Sequence, residues 1–141
     1  MKTKMGFGEG SSPALSGNTV IINWDTEGGA FITALDKQTG KQLGRTKRDE
    51  GTSWSTPLIL EFNGQKQVVV NASKKVRSYE LAVGKELWSC SSPVQNAIPC
   101  PVAAHDLVFL ASGSRGSAVQ AIAHALWKSQ LHRHLTASRC G

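Results

Sequence analysis

Three prolines set the frame for this chain. Ser12-Pro13-Ala14-Leu15, Thr56-Pro57-Leu58-Ile59 and Cys100-Pro101-Val102-Ala103 each place Pro after a small residue and before apolar ones, at a spacing of 44 residues. A second landmark keeps the same offset: Asp36-Lys37-Gln38-Thr39-Gly40-Lys41-Gln42-Leu43 aligns with Glu80-Leu81-Ala82-Val83-Gly84-Lys85-Glu86-Leu87. Two unrelated landmarks at one period define an internal repeat. A unit this short cannot bury an apolar face alone, so it must stack on its neighbours.

Each unit reads as several short strands. Thr19–Trp24 is a β-branched run between Gly17-Asn18 and Gly28-Gly29, followed by Ala30–Leu35, a turn at 37–40 and an extended piece from Leu43. In the second unit, Asn63-Gly64 is a strong two-residue hairpin signal between Leu58–Phe62 and Gln67–Asn71. Val76–Leu81 and Glu86–Ser89 follow as strands. The third unit has a turn at His105-Asp106, then strands at Leu107–Ala111 and Val119–Ile122. Helical repeats need longer uninterrupted segments, and turn residues here break the chain too often. The expected fold is all-β: about two and a half four-stranded blades of a β-propeller with a repeat near 44 residues. Residues 1–10 form a lead-in, 11–122 the repeats, and 123–141 a nonrepetitive tail.

Two segments carry a family resemblance. Ala34-Leu35-Asp36-Lys37-Gln38-Thr39-Gly40-Lys41 and Tyr79-Glu80-Leu81-Ala82-Val83-Gly84-Lys85-Glu86-Leu87-Trp88 resemble the A-x-D-x-x-T-G-x-x-x-W tryptophan-docking signature of the quinoprotein-like β-propellers. Thr52-Ser53-Trp54-Ser55-Thr56-Pro57 and Ser112-Gly113-Ser114-Arg115-Gly116 also resemble that family. It includes pyrroloquinoline quinone (PQQ) dehydrogenases and the non-enzymatic propeller lipoprotein of the outer-membrane barrel-assembly machinery. The resemblance implies that Trp88 docks between neighbouring blades. Gly44 stands where the first unit should carry that Trp, while Glu80 and Val83 replace Asp and Thr in the second; looser blade packing is expected at these departures. A PQQ enzyme, as the resemblance implies, needs a calcium ion with Glu and Asn ligands, an Asp base and, in some members, adjacent cysteines. None of these matches residue by residue. No catalytic, cofactor-binding or metal-binding residue is therefore assigned, and PQQ enters by resemblance only.

The remaining candidates have bland readings beside the chemical ones. Asp25, Asp36, Asp49 and Glu50 fall in or near expected turns, where acids usually cap turn amides. Ser11, Ser12, Ser53 and Ser55 lack a GxSxG context and read as strand starts, and Asn23-Trp24-Asp25 as a strand end. Gly6-Phe7-Gly8-Glu9-Gly10 has neither the preceding strand nor the following Lys-Ser/Thr of a phosphate loop. His124, His132 and His134 do not have zinc-ligand spacing. Cys90, Cys100 and Cys140 contain no CxxC pair; a Cys90–Cys100 disulfide is one reading and free thiols packed as small apolar groups the other.

Charge adds one fact. Half of the +6 net charge comes from Lys128, Arg133 and Arg139 in the acid-free tail. With no nucleic-acid reading motif beside it, this charge does not make a nucleic-acid-binding protein. Two readings of the tail stand: a frameshifted segment, or a terminal helix with Trp127, Leu131 and Leu135 on one stripe. A closed propeller takes typically about four to eight blades, so this chain is expected to be a fragment of gene, prediction or evolution, and oligomeric or aggregation-prone alone. The longest apolar run, around Leu107–Ala111, falls far short of the ~20 residues of a membrane helix, and no signal peptide follows Met1-Lys2-Thr3-Lys4. Family members are commonly periplasmic or exported. The expected function is a non-enzymatic repeat scaffold of the bacterial envelope, acting through a protein partner or self-association. The alternative is a fragment of a PQQ-dependent dehydrogenase without its active-site blades.

Overall fold

A computed structural model describes residues 8, 10–82, 84–92, 95, 97–112 and 118–123. Eleven strands and no helix occur among the described residues, in three antiparallel sheets. The first sheet runs in order through β1 (Ala14–Ser16), β2 (Thr19–Trp24), β3 (Ala30–Asp36) and β4 (Gln42–Arg48). The second runs through β5 (Leu58–Phe62), β6 (Gln65–Val70), β7 (Lys75–Glu80) and β8 (Glu86–Ser91). The third holds β9 (Val102–Ala104), β10 (Leu107–Ala111) and β11 (Val119–Ala123), with β10 central. Two four-stranded blades and one of three strands match the expected architecture. The last described strand, β11, ends at Ala123.

Turn chemistry fixes the first hairpin of every blade. Asn63 and Gly64 both have positive φ, 50° and 76°, and so do His105 and Asp106, at 49° and 59°. Two such residues give a turn whose twist matches that of the strands it joins. The first blade turns instead at Gly17, whose φ is 58°. The hairpins are not of equal length, although the period is constant. β5 is longer than β1 at its turn end, and β6 also gains residues there. The next loop shortens to compensate, since Ile22 pairs with Thr33 but Val70 with Arg77. This trade restores the 44-residue period at the strand that follows.

The third turn is the signature turn. Gly40 N–H donates to Asp36 C=O and Gly84 N–H to Glu80 C=O, both at 2.8 Å. Both glycines have positive φ, 70° and 68°, which a side chain would strain. In the first blade the Asp36 carboxylate also accepts from Gln38 N–H, Thr39 N–H and the Thr39 hydroxyl.

Stacking creates two apolar cores. Ile21 and Ile32 of the first blade meet Val68, Val70 and Tyr79 of the second. On the opposite side, Val69, Val76 and Trp88 of the second blade meet Val108, Leu110 and Ile122 of the third. Strand β6 thus sends alternate valines into different interfaces, and Val68, Val69 and Val70 are all buried. Its counterpart β2 has one covered face: Ile21 and Asn23 are buried, while Val20, Ile22 and Trp24 are only partly so. Every blade presents corresponding positions forward, with Ile21, Ile32 and Ala14 of the first equivalent to Val69, Val76 and Leu58 of the second.

Trp88 is 6% exposed and packs in the core shared by the second and third blades. The strands that open the first and third repeats, β1 and β9, are only three residues long and had no alternating pattern to reveal them. The four serines considered as strand starts lie ahead of β1 and β5, in the segments that lead into them. The tail beyond Ala123, with His124, His132, His134 and Cys140, lies outside the described residues, as do Gly6, Phe7, Glu9, Val83 and Gly113–Gly116.

Candidate functional site

Polar residues concentrate where the first blade hands the chain to the second. At the end of β4, Arg48 extends back towards the loop after β2 and forms a bidentate pair with Asp25, Nε to Oδ1 at 2.8 Å and Nη2 to Oδ2 at 3.1 Å. Both side chains are fully buried. The Asp25 carboxylate also accepts from Asn23 Nδ2 at 3.0 Å and from the Ser53 hydroxyl at 2.8 Å. Arg48 Nη1 donates to the Tyr79 hydroxyl of the next blade at 2.6 Å. Burial pulls the pKa of Arg48 down, but the Asp25 charge, Tyr79 and Glu50 together outweigh it, so the pKa is raised and the guanidinium stays charged. Burial likewise pushes the Tyr79 phenol up, against the opposing pull of Arg48.

A second pair lies beside the first. Arg77 of β7 bonds the Glu50 and Asp49 carboxylates and approaches Glu86 Oε2 at 3.4 Å. Glu50 further accepts Lys74 N–H at 2.8 Å. Arg77 holds the largely exposed Asp49 below the usual carboxylate range. The Ser73 hydroxyl donates to Thr52 C=O, and the Thr52 hydroxyl to Glu27. These contacts correct the reading of the acids as turn caps. Asp36 is such a cap, but Asp25, Asp49 and Glu50 are counter-ions to arginines that cross the blade boundary. The sequence hid this because the partners are more than 20 residues apart.

The serine-rich segments are tied in the same register. Ser11 Oγ donates to Ser55 C=O and Ser12 N–H to Thr56 Oγ1, each bond joining residues 44 apart. Trp54 donates from Nε1 to Gly8 C=O. Cys90 and Cys100 are not joined in a disulfide; Cys90 packs against the second core, whereas Cys100 is exposed.

Apolar surface remains at both ends of the stack. Leu15, Val20, Ile22, Trp24 and Phe31 share the face of the first blade turned from the second, and Leu15 is 57% exposed. Trp24 stacks on Phe31 there, and the Arg45 guanidinium lies 3.7 Å above the Phe31 ring. On the third blade, Val102, Phe109 and Val119 point away from the second, with Val102 at 62% and Val119 at 77% exposure.

The calcium-bound PQQ of the resembled enzymes does not fit the donor set of the described residues. They contain no group of three His, Cys, Asp or Glu placed to hold a metal ion. Asp25 and Glu50 are buried and committed to arginines. Nor does any described helix have the length and hydropathy to cross a membrane.

No protein-family model and no curated protein matches the sequence. Solved structures do resemble it in fold. A europium-containing methanol dehydrogenase superposes with a TM-score of 0.63 at 15% identity, covering 83% of this chain and 23% of that one. BamB from Moraxella catarrhalis superposes with a TM-score of 0.57 at 12% identity, covering 82% of this chain and 37% of that one. The chain therefore spans well under half of either structure. Its fold is that of part of a β-propeller.

Proposed function

We propose that this chain is a non-enzymatic propeller-repeat scaffold of the bacterial envelope, binding a protein partner or a second copy through its outer sheet faces. The observation that carries this reading is the apolar surface on the first and third blades, where Leu15, Val102 and Val119 are more than half exposed. Such faces are the ones that blades bury against each other within this chain. The buried carboxylates support the same reading, because arginines engage them in joining blades. Likeness in fold to BamB, together with the sequence resemblance to the barrel-assembly lipoprotein, supports the scaffold class and the envelope location. Likeness to a methanol dehydrogenase supports the alternative of a PQQ-enzyme fragment, to which the committed carboxylates are ill suited.

Light scattering on the purified chain over a concentration series tests the proposal. Self-association is expected, and Val119→Glu, which places a charge on the third-blade face, is expected to weaken it. A monomer at every concentration, with a saturable change in absorbance on adding PQQ and calcium, would replace the scaffold by the enzyme fragment.

A further inference from the structure

The stack makes one kind of joint twice and leaves its two halves at the ends. Strand register puts Leu58, Val69 and Val76 on the forward face of the second blade. Val102, Phe109 and Val119 hold the same places in the third. Val76 is 0% exposed against the third blade, whereas its counterpart Val119 is 77% exposed. The backward face of the second blade carries Ile59, Val68 and Tyr79, packed on the first. In the first blade those places hold Leu15, Val20 and Leu35, and Leu15 is 57% exposed. The outermost strand is not common to the two joints. Trp88 fills the second, while the first has Gly44, opposite Ala34, and keeps a cleft of about 700 Å³ there. What both joints share is the apolar set on the three inner strands, and the third blade has those strands too.

We infer that a second copy of this chain covers both end faces, docked head to tail. The forward face of the third blade in each copy packs on the backward face of the first blade in the other. This rests on the scaffold reading and narrows it to one occupant. Both joints within the chain set a forward face on a backward one, and like faces meet in neither. A contact between unlike faces either closes into a ring or runs on as an open stack. Blade number decides between them, since a closed propeller typically holds about four to eight blades. Three blades lie among the described residues, so two copies bring twice three, or six. One copy falls short of closure and three copies overshoot it. The pair closes with two identical joints and no end face left bare.

Light scattering on the full chain is expected to give the mass of two chains, constant over a concentration series. Leu15→Glu blocks the backward face and Val119→Glu the forward one, both at exposed positions. Each variant alone is expected to read as single chains. Mixed in equal amounts, they keep one intact pair of unlike faces. A tagged Leu15→Glu chain should therefore retain untagged Val119→Glu and fail to retain untagged Leu15→Glu. Val20→Glu and Val102→Glu replace them if circular dichroism shows that either does not fold. Association lost in only one of the two variants would mean that like faces meet. Masses beyond two chains would mean an open stack, and folded variants that fail to complement each other would mean a contact elsewhere. Each of these overturns the inference and leaves the scaffold reading standing. A wild-type chain that stays single at every concentration overturns it together with the self-association on which it rests.

Discussion

At the scale of single residues, the buried Arg48–Asp25 pair is the contact most sensitive to substitution. Desolvating two charges offsets much of their attraction, so the intact pair contributes little net stability. Removing one partner leaves the other uncompensated, which costs about 3–5 kcal/mol. Asp25→Ala should therefore lower the urea midpoint sharply, while an alanine at exposed Leu15 should barely move it. Asp36 and Asp49 respond to acid instead. The Thr39 amide and hydroxyl hold Asp36 below the ordinary carboxylate range, and the Arg77 charge does the same for Asp49. The folded chain binds these protons less readily than the unfolded one. Their contribution is thus complete above the unfolded aspartate pKa near ~3.9 and is lost as pH falls through the lower folded values. Urea titrations between neutral pH and pH ~3 should show stability falling in that window, with a shallower fall in Asp36→Asn.

At the scale of elements, burial rather than composition separates strands of the same kind. Val68 in β6 and Val20 in β2 occupy equivalent places, yet Val68 is 2% exposed and Val20 only partly covered. Burying a valine side chain fully is worth about 1.5–3 kcal/mol. Val68→Ala should cost an amount in that range, and Val20→Ala distinctly less, in parallel denaturant titrations. The strands with β-branched runs, β2 and β6 among them, were legible from the sequence because a half-buried strand leaves its pattern in six or seven residues. Asn63-Gly64 and His105-Asp106 were equally legible, since turns of positive φ select few residues. Three-residue strands such as β1 leave no pattern. The pairing of Asp25 with Arg48 was invisible because it depends on the strand order of the first sheet, which brings the loop after β2 to the end of β4.

At the scale of the whole molecule, two interfaces built on one plan are closed by different means. The second uses the Trp88 indole; the first uses two arginines and keeps a cleft. The sequence disclosed the period and the exceptional glycine at 44, but the cleft needed the strand register that sets Gly44 opposite Ala34. Stability in such a stack is the sum of each unit and its contacts with the next. The constant forward sense of the blades has a genetic consequence. Since each unit offers equivalent surfaces front and back, unequal recombination that gains or loses one in-frame unit of 44 codons still brings a front against a back. Lineages can change blade number in single steps, with each new junction inheriting the complementarity of the old ones.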